Sequence, residues 1–325
     1  MKNILTTAAL LTLAGASWAQ TNTLTVYTYD SFVTDWGPGP AIKVAFEETC
    51  GCTLNFVAAG DGAALLARVW LEGERSDADI VLGLDNSLIE PARETGLFAT
   101  HHGIPNGLNL PVPWQDDVFV PYDWGYLAFI YDNTSGIDVP VNFVELAASD
   151  LSIVIQDPRS STPGLGLMFW VKAAYGDNAG EIWQGLSDNI VTVTKGWSEA
   201  YGMFLAGEAD MVLSYTTSPA YHLIAENDPS KSAAEFSEGH FMQIEVAAKL
   251  KSTDQPELAD MFLEFIGSDA FQTIIPETNW MYPAYSTPLP KGFEGLIQPQ
   301  PISLPALTVE FRKAAMDEWL TALSQ

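Results

Sequence analysis

The segment DVFVPYDWGYLAFIYD, residues Asp117 to Asp132, decides the fold of this 325-residue chain. It is a long extended run interrupted by Pro121 and Gly125, and EGHFMQIEVAAKL, Glu238 to Leu250, is a second long run. Both are long enough to cross from one lobe to another, and the block between them has the pattern of a complete α/β unit. The sequence therefore predicts two lobes joined by two strand crossovers, which permits closure around a ligand.

Over most of the chain, short apolar strands alternate with helical patterns. This alternation is typical of parallel sheets covered by helices, so we predict an α/β fold in which each lobe is a mainly parallel sheet flanked by helices. Lobe 1 is expected at residues 20–120 plus about 246–285, and lobe 2 at about 125–240. Residues 286–325 contain an amphipathic helix that the sequence assigns to neither lobe.

The N-terminus has the pattern of a secretory signal peptide over residues 1–19. One lysine precedes an apolar run too short to cross a bilayer, and Ser17-Trp18-Ala19 supplies the small residues of a cleavage site. We expect cleavage after Ala19 and a soluble, monomeric mature protein without a membrane segment. The formal net charge of −27 excludes nucleic acid as a partner, because the phosphate backbone would be repelled.

The cysteines and histidines give little sign of metal or redox chemistry. Cys50 and Cys52 flank Gly51 at the end of a predicted helix and could form a tight local disulfide in an oxidising compartment. The four histidines show no ligand spacing with cysteine or with one another. We expect no metal site, no cofactor and no catalytic residue.

Several predicted strands end at residues suited to binding a small ligand. Tyr29, Asp61, Asp85, Trp197 and Tyr215 each follow a buried strand. In open α/β sheets ligands bind in the crevice outside the carboxyl ends of the strands. The sequence therefore predicts one ligand cleft between the lobes.

The candidate aromatic residues lie in polar or turn-like surroundings rather than on apolar faces. They are Tyr29, Trp197, Tyr215, Tyr221 and Trp280. Aromatic rings stack on flat heterocycles, and a cation over a ring face is attracted to it. This pattern suits a flat, positively charged heterocycle.

Three polar positions each allow two interpretations. Asp61 and Asp85 precede predicted helices, so each is either a helix N-cap or a ligand contact. The turn containing Ser161 and Thr162 also precedes a helix, where free backbone N–H groups bind an anion such as phosphate. The same turn is equally suited to ordinary helix capping.

The motifs VYTYDSFVTDWGPGP, QDPRSSTPGLGL, TVTKGWSEAYG, VLSYTTSPAY and NWMYPA resemble the periplasmic thiamine-binding proteins of ABC importers, from about Leu24 to Tyr285. The resemblance implies a two-lobed periplasmic binding protein of type II, located in the periplasm. It also implies binding of thiamine, thiamine monophosphate and thiamine diphosphate between the lobes, and their delivery to a membrane permease.

The resemblance also implies a role for each matching residue. Tyr29, Trp197 and Tyr215 would surround the thiazolium ring, and Tyr221 and Trp280 would hold the pyrimidine. Asp61 would bond a polar nitrogen of the ligand, and Ser161 would receive the phosphate with Thr162 as helper. Asp61 departs from the family most in its surroundings, AAGDGAALL.

Three other functions compete with this prediction. A polyamine-binding protein needs several carboxylates in an aromatic box, which Asp61 and Asp85 could imitate. A ferric-ion carrier uses clustered tyrosines with a histidine or a carboxylate, whereas Tyr215 and Tyr221 are separated and His222 is the one histidine near them. A thiaminase-like enzyme needs a cleft cysteine, and Cys50 and Cys52 at a helix end do not suit that role.

Overall fold

The computed structural model describes residues 22–324. The predicted signal peptide lies outside the described residues. Within them, no helix is long and apolar enough to cross a membrane.

Ten strands form a single mixed sheet. They are β1 (Thr23–Thr28), β2 (Thr53–Ala58), β3 (Ile80–Asp85), β4 (Val120–Asp132), β5 (Ile153–Gln156), β6 (Ile190–Thr194), β7 (Met211–Tyr215), β8 (Lys231–Ala233), β9 (Met242–Lys249) and β10 (Tyr282–Pro283).

Twelve α-helices in the described chain cover this sheet. They are α1 (Gly39–Cys50), α2 (Gly62–Glu72), α3 (Ile89–Glu94), α4 (Phe143–Ala147), α5 (Thr162–Tyr175), α6 (Ala179–Leu186), α7 (Trp197–Leu205), α8 (Ser218–Ala225), α9 (Pro256–Phe265), α10 (Asp269–Gln272), α11 (Ile275–Thr278) and α12 (Val309–Leu323).

The strand order is β2-β1-β3-β9-β4-β7-β5-β6, with β8 and β10 also paired to β4. Strands β1, β2 and β3 run parallel, as do β5, β6 and β7, whereas β4 and β9 run antiparallel to their neighbours. We call β2, β1, β3, β9 and residues 120–126 of β4 half-sheet A. Residues 127–132 of β4, with β7, β5, β6 and β8, form half-sheet B.

Strand β4 is the physical link between the half-sheets. Its first part pairs with β9 as far as Tyr126, opposite Met242, and its second part pairs with β7 from Leu127, opposite Tyr215. The ten residues from Val120 to Phe129 include only one partly exposed residue, Trp124 being intermediate. The apolar character of this strand follows from burial on both faces.

The second long run, Glu238 to Leu250, is divided between a connection and strand β9. Strand β9 starts at Met242, later than the predicted run, and both of its sheet partners lie in half-sheet A. The chain crosses from half-sheet B between Ala234, whose N–H donates to Phe129 O, and Phe241, whose carbonyl accepts from Leu127 N. The crossing is thus made by the residues just before the strand.

The C-terminal helix α12 packs against α5 and α6, beside half-sheet B. Its Trp319 is buried, and Glu318 accepts a 2.7 Å hydrogen bond from Lys172 Nζ of α5. These contacts place α12, which the sequence assigned to neither lobe, beside half-sheet B.

Gly83 forms a bulge in β3 that makes room for Tyr29. Its φ is +107°, and the pairing of β3 with β9 shifts register between Leu82 and Leu84. A Cβ atom at this position would lie 2.2 Å from Cδ1 of Tyr29, so only glycine fits without a shift. The bulge therefore positions one of the predicted ligand-binding rings.

Gly83→Ala should destabilise the protein by about 2–4 kcal/mol, because the positive φ and the contact with the Tyr29 ring are both unfavourable. Urea unfolding measures the change. Gly180→Ala in α6 is the matched control, since a Cβ there meets nothing closer than Glu318 Cγ at 3.8 Å. The control should be neutral or stabilising by up to about 1 kcal/mol. Equal stability of the two variants would contradict the argument.

Candidate ligand-binding site

A cavity of about 500 Å³ lies between the two half-sheets, in the size range of small-molecule sites. Half-sheet A and its helices contribute Tyr29, Asp61 and Glu245, and half-sheet B and its helices contribute Trp197 and Tyr215. Thr162, Tyr221 and Trp280 also line it. The structure thus brings seven of the sequence-predicted positions to one cavity: Tyr29, Asp61, Thr162, Trp197, Tyr215, Tyr221 and Trp280.

Aromatic rings form the walls of this cavity. Trp197 stacks on Tyr201 with ring centroids 5.0 Å apart, and its Nε1 donates a 2.8 Å hydrogen bond to Ser214 Oγ. Tyr221 and Trp280 meet edge to face at 5.4 Å. Rings held in this way offer rigid faces to a flat ligand.

Trp280 is held in an uncommon backbone conformation. Its φ is +55°, and its N–H donates to Ile275 O at 3.0 Å at the end of α11. A non-glycine residue in the left-handed region costs free energy that the surrounding structure must offset, and such residues cluster at ligand sites. The indole is thereby directed into the cavity lining.

The floor of the cavity is a carboxylate surrounded by hydroxyl groups. Glu245 Oε2 accepts hydrogen bonds from Tyr29 Oη at 3.0 Å and from Tyr122 Oη at 2.5 Å. Gln243 Nε2 lies 3.2 Å from Glu245 Oε1 and donates to Tyr215 Oη at 2.9 Å. One network therefore links the floor to two of the ring walls.

A second carboxyl lies directly opposite Glu245 in the sheet. Asp123 of β4 pairs in register with Glu245 of β9, and its Oδ2 accepts a 2.7 Å bond from Asn279 Nδ2. Burial, and then the charge of Glu245, raise the pKa of Asp123 well above its usual range. Burial raises the pKa of Glu245 to about 7.

The pKa shifts of Asp123 and Glu245 determine the charge at the floor of the cavity. Near pH 7 Glu245 is only partly ionised, because the apolar surroundings disfavour its charge more than the hydroxyl donors support it. A positive ligand above the floor favours the ionised form. The arrangement suits a cation and disfavours an anion at this end of the cavity.

Asp61 lies where the two half-sheets approach each other. Its Oδ2 accepts hydrogen bonds from Ser161 Oγ at 2.7 Å and from Trp197 N at 3.0 Å, both in the opposite half. It precedes α2 but makes no side-chain capping bond there. Burial raises the pKa of Asp61, partly offset by these two donors.

Ser161 is the N-cap residue of α5, and Thr162 is its first residue. Thr162 lines the cavity, whereas Ser161 is fully buried behind it with its hydroxyl engaged by Asp61. The predicted phosphate residue is therefore adjacent to the cavity, not in its lining.

Asp85 does not line the cavity, although it pairs in register with Glu245 of the floor. It is fully buried, and its Oδ1 accepts bonds from the N–H groups of Ser87 at 3.0 Å and Leu88 at 3.2 Å. Burial raises its pKa to about 6. The sequence allowed two roles for Asp85, a helix N-cap or a ligand contact. These bonds support the role in the turn before α3 and do not support a ligand contact.

The cysteines and histidines are also away from the cavity lining. Cys50 and Cys52 are joined in a disulfide at the end of α1. His222, Glu226 and Asp228 bring ligand-type atoms within 4.8 Å of one another, a grouping that the histidine spacing alone did not reveal. Both ring nitrogens of His222 are already hydrogen-bonded, to Tyr201 and Glu226, so the grouping is explained as a polar network.

Sequence reasoning missed several residues of the cavity. Glu245 is the most important, and the available signal was a glutamate inside the apolar stretch QIEVAA. Asn279 directly precedes the predicted Trp280. The other lining residues missed include Ser31, Trp36, Tyr201, Ser218 and Met281.

Comparison with known proteins identifies the family. Residues 23–273 match the model for bacterial extracellular solute-binding proteins. The thiamine-binding periplasmic protein of Salmonella typhimurium is 52% identical over 326 residues, covering 97% of this chain and 98% of the relative. The protein of that name from Haemophilus influenzae is 40% identical over 331 residues, covering 100% and 99%.

The chain belongs to the bacterial extracellular solute-binding protein family. The solved structure of a periplasmic thiamin binding protein matches this solute-binding protein with a TM-score of 0.92 and 51% identity, over 94% of this chain and 98% of that one. The predicted resemblance is confirmed. A ferric binding protein from Campylobacter jejuni, 21% identical with a TM-score of 0.77 over 92% and 99%, shares the fold. The predicted type II α/β fold is therefore confirmed as well.

Glu245→Gln should stabilise this solute-binding protein at pH 8 by about 1–3 kcal/mol, and less towards pH 5. The reason is that the folded state raises the Glu245 pKa from 4.5 to about 7, so ionisation costs stability as the pH rises through that window. Urea unfolding across this range measures the difference. Glu310→Gln, at an exposed glutamate of α12, is the control. A difference independent of pH would contradict the assignment.

Proposed function

We propose that this solute-binding protein captures thiamine, thiamine monophosphate and thiamine diphosphate in the periplasm and delivers them to an ABC permease. The observation that carries the proposal is the cavity itself, in which aromatic walls stand over a buried carboxylate floor. Thiamine combines a flat pyrimidine with a permanently cationic thiazolium. Relatives up to 52% identical carry the name of thiamine-binding periplasmic protein, which supports the same ligand.

The two rings of thiamine have distinct places in this proposal. The thiazolium lies against Trp197, Tyr215 and Tyr29, where cation–π attraction and the Glu245 charge both favour a positive ring. The pyrimidine lies between Tyr221 and Trp280, whose edge-to-face contact leaves faces for stacking.

The phosphate groups have a place at the start of α5. Thr162 lines the cavity there, and Ser161 lies directly behind it. Helix N-termini bind anions through free N–H groups and the positive end of the helix dipole. In this proposal the phosphate binds at the α5 N-terminus, where the Ser161 hydroxyl donates to Asp61, and the thiazolium binds near Glu245.

Transport is proposed to depend on closure about the β4 crossing. The lobes are residues 20–120 plus about 246–285 and residues about 125–240, and the ligand contacts both. A ligand shifts an open–closed equilibrium only by its differential affinity for the closed form, so contacts from both lobes are required. The permease would recognise the closed form, and the binding protein acts as a monomer.

Binding without catalysis is part of the proposal. Both cysteines of the chain are consumed by the disulfide, so a thiaminase-like attack by a cleft thiol has no nucleophile. The polyamine alternative relied on the Asp85 carboxylate, which is not among the residues that line the cavity. A ferric site would need free phenol oxygens, yet those of Tyr215 and Tyr221 are bonded to Gln243 and Glu226.

Trp197→Ala should weaken binding of thiamine and of both phosphate esters by about 10- to 100-fold, because stacking and cation–π attraction to the thiazolium are lost. Isothermal titration calorimetry at fixed ionic strength measures the affinities. Trp70→Ala is the matched control, since Trp70 of α2 is 71% exposed and outside the cavity lining. Absence of saturable thiamine binding by the folded wild-type protein would refute the function outright.

Thiamine binding near pH 7 should release a proton from Glu245. A cation above the floor lowers the pKa of Glu245 from about 7, so affinity should rise with pH and level off above pH 7. Titrations in two non-phosphate buffers with different ionisation enthalpies count the protons released. Glu245→Gln should lose the effect, and proton uptake by the wild type would disprove it.

A further inference from the structure

The Asp61 carboxylate joins the two halves of the molecule across the cleft. Ser161 Oγ and Trp197 N, both from half-sheet B and its helices, donate to one oxygen of Asp61 at 2.7 and 3.0 Å. Next to it, Ala64 N donates to Ser160 O at 3.0 Å. These contacts close one end of the cavity.

Three helix N-termini converge on this carboxylate. Helix α2 begins directly after Asp61, α5 begins directly after Ser161, and α7 begins with Trp197 itself. No lysine or arginine pairs with Asp61 among residues 22–324. The positive field that holds the carboxylate therefore comes from helix dipoles and backbone N–H groups, which is the environment that binds phosphate.

Asp61 already occupies the donors that a phosphate would use. The Ser161 hydroxyl and the Trp197 N–H each have one hydrogen, and both donate to Asp61 Oδ2. Two anions in one water-poor site repel strongly. A phosphate that takes the Ser161 hydroxyl and the Trp197 N–H must therefore displace the Asp61 side chain.

We propose that Asp61 is an internal anion that latches the cleft around unphosphorylated thiamine and is displaced by the phosphate of phosphorylated thiamine. Asp61 then determines the preference between the two ligand classes, acting through the lobes and not by touching the vitamin rings. The inference rests on the proposed function and deepens it.

The Asp61 latch should affect the affinities for free thiamine and for its phosphate ester in opposite directions. Free thiamine benefits from the latch, because the closed form that it needs is already supported by the bonds of Asp61. A phosphate ester supplies its own anion and must first break those bonds, so its affinity is reduced by the cost of displacement. Removal of the carboxylate should therefore harm one ligand and help the other.

The test compares thiamine with thiamine monophosphate by isothermal titration calorimetry on the full mature protein and its Asp61→Ala variant. We expect thiamine to bind at least fivefold more weakly to the variant, and the monophosphate to bind as well as before or more tightly. The ratio of the two dissociation constants should thus shift by at least fivefold towards the ester. A smaller shift, or a greater loss for the ester, would overturn the proposal.

This design separates the latch from a direct contact with the ligand. If Asp61 bonded a ring nitrogen shared by both ligands, both would lose affinity by the same factor. Asp30→Asn is the matched charge control, because Asp30 Oδ1 accepts from Gly60 N at 2.9 Å but makes no contact across the cleft. For Asp30→Asn, the ratio of the dissociation constants of thiamine and thiamine monophosphate should stay within twofold of the wild-type ratio. A shift equal to that of Asp61→Ala would also overturn the proposal.

A second measurement tests the latch without depending on which ligand the protein binds. Small-angle scattering of ligand-free protein should give a larger radius of gyration for Asp61→Ala than for the wild type, because the interlobe bonds are lost. Equal radii would overturn the latch. If Asp61→Ala does not fold, Asp61→Asn takes its place, with a ratio shift in the same direction of at least twofold required. If the wild-type protein binds no thiamine, the proposed function is refuted. The scattering comparison would still test whether Asp61 holds the two halves together.

Discussion

The hydrogen-bond ladder between β4 and β9 is the constraint on which the rest of the structure depends. It places Asp123 directly opposite Glu245, and like charges opposite each other on neighbouring strands are destabilising. The ladder continues on both sides of this pair, from Val120 to Tyr126, so backbone pairing and burial outweigh the repulsion. Burial is the main cause of the raised pKa values of both carboxyls, and the charge of Glu245 raises the pKa of Asp123 further.

The same ladder connects the fold to the site. Strand β4 passes at Tyr126 and Leu127 from one half-sheet to the other, so the cavity floor lies at the junction about which closure is proposed. The hydroxyls of Tyr29 and Tyr122 support the Glu245 carboxylate from half-sheet A, and Gln243 extends the network to Tyr215 of half-sheet B. Charge at the floor and contact between the halves are therefore physically coupled.

The features that the sequence predicts well are those with a local cause. Apolar runs predict β1, β3, β5 and β7 because burial on both faces requires them, and aromatic residues after strand ends predict Trp197 and Tyr215 in the cavity. Helix α5 includes Pro163 and Gly164, although both residues are typical of turns. Proline is tolerated in a first helical turn, and Gly164 fits closely against the backbone of Gln156.

What the sequence could not predict depends on contacts between distant residues. The apolar stretch around Glu245 indicates a buried strand, but its register opposite Asp123 and its bonds to Tyr29 and Tyr122 come from distant residues. The hydroxyl of Ser161 is likewise engaged by a residue one hundred positions earlier. No local pattern encodes either pairing, because each arises from the meeting of the two half-sheets.

In the proposed mechanism, the two ends of the cavity act on closure in opposite ways. At the floor, burial of Glu245 disfavours its ionised form, and a cation above it would remove that cost. At the other end, the bonds of Asp61 join the two halves and would favour closure. A binding protein responds to its ligand only when closure is not already complete before binding. The carboxylate floor would therefore offset the contacts made by Asp61, and it would make closure depend on a positive charge.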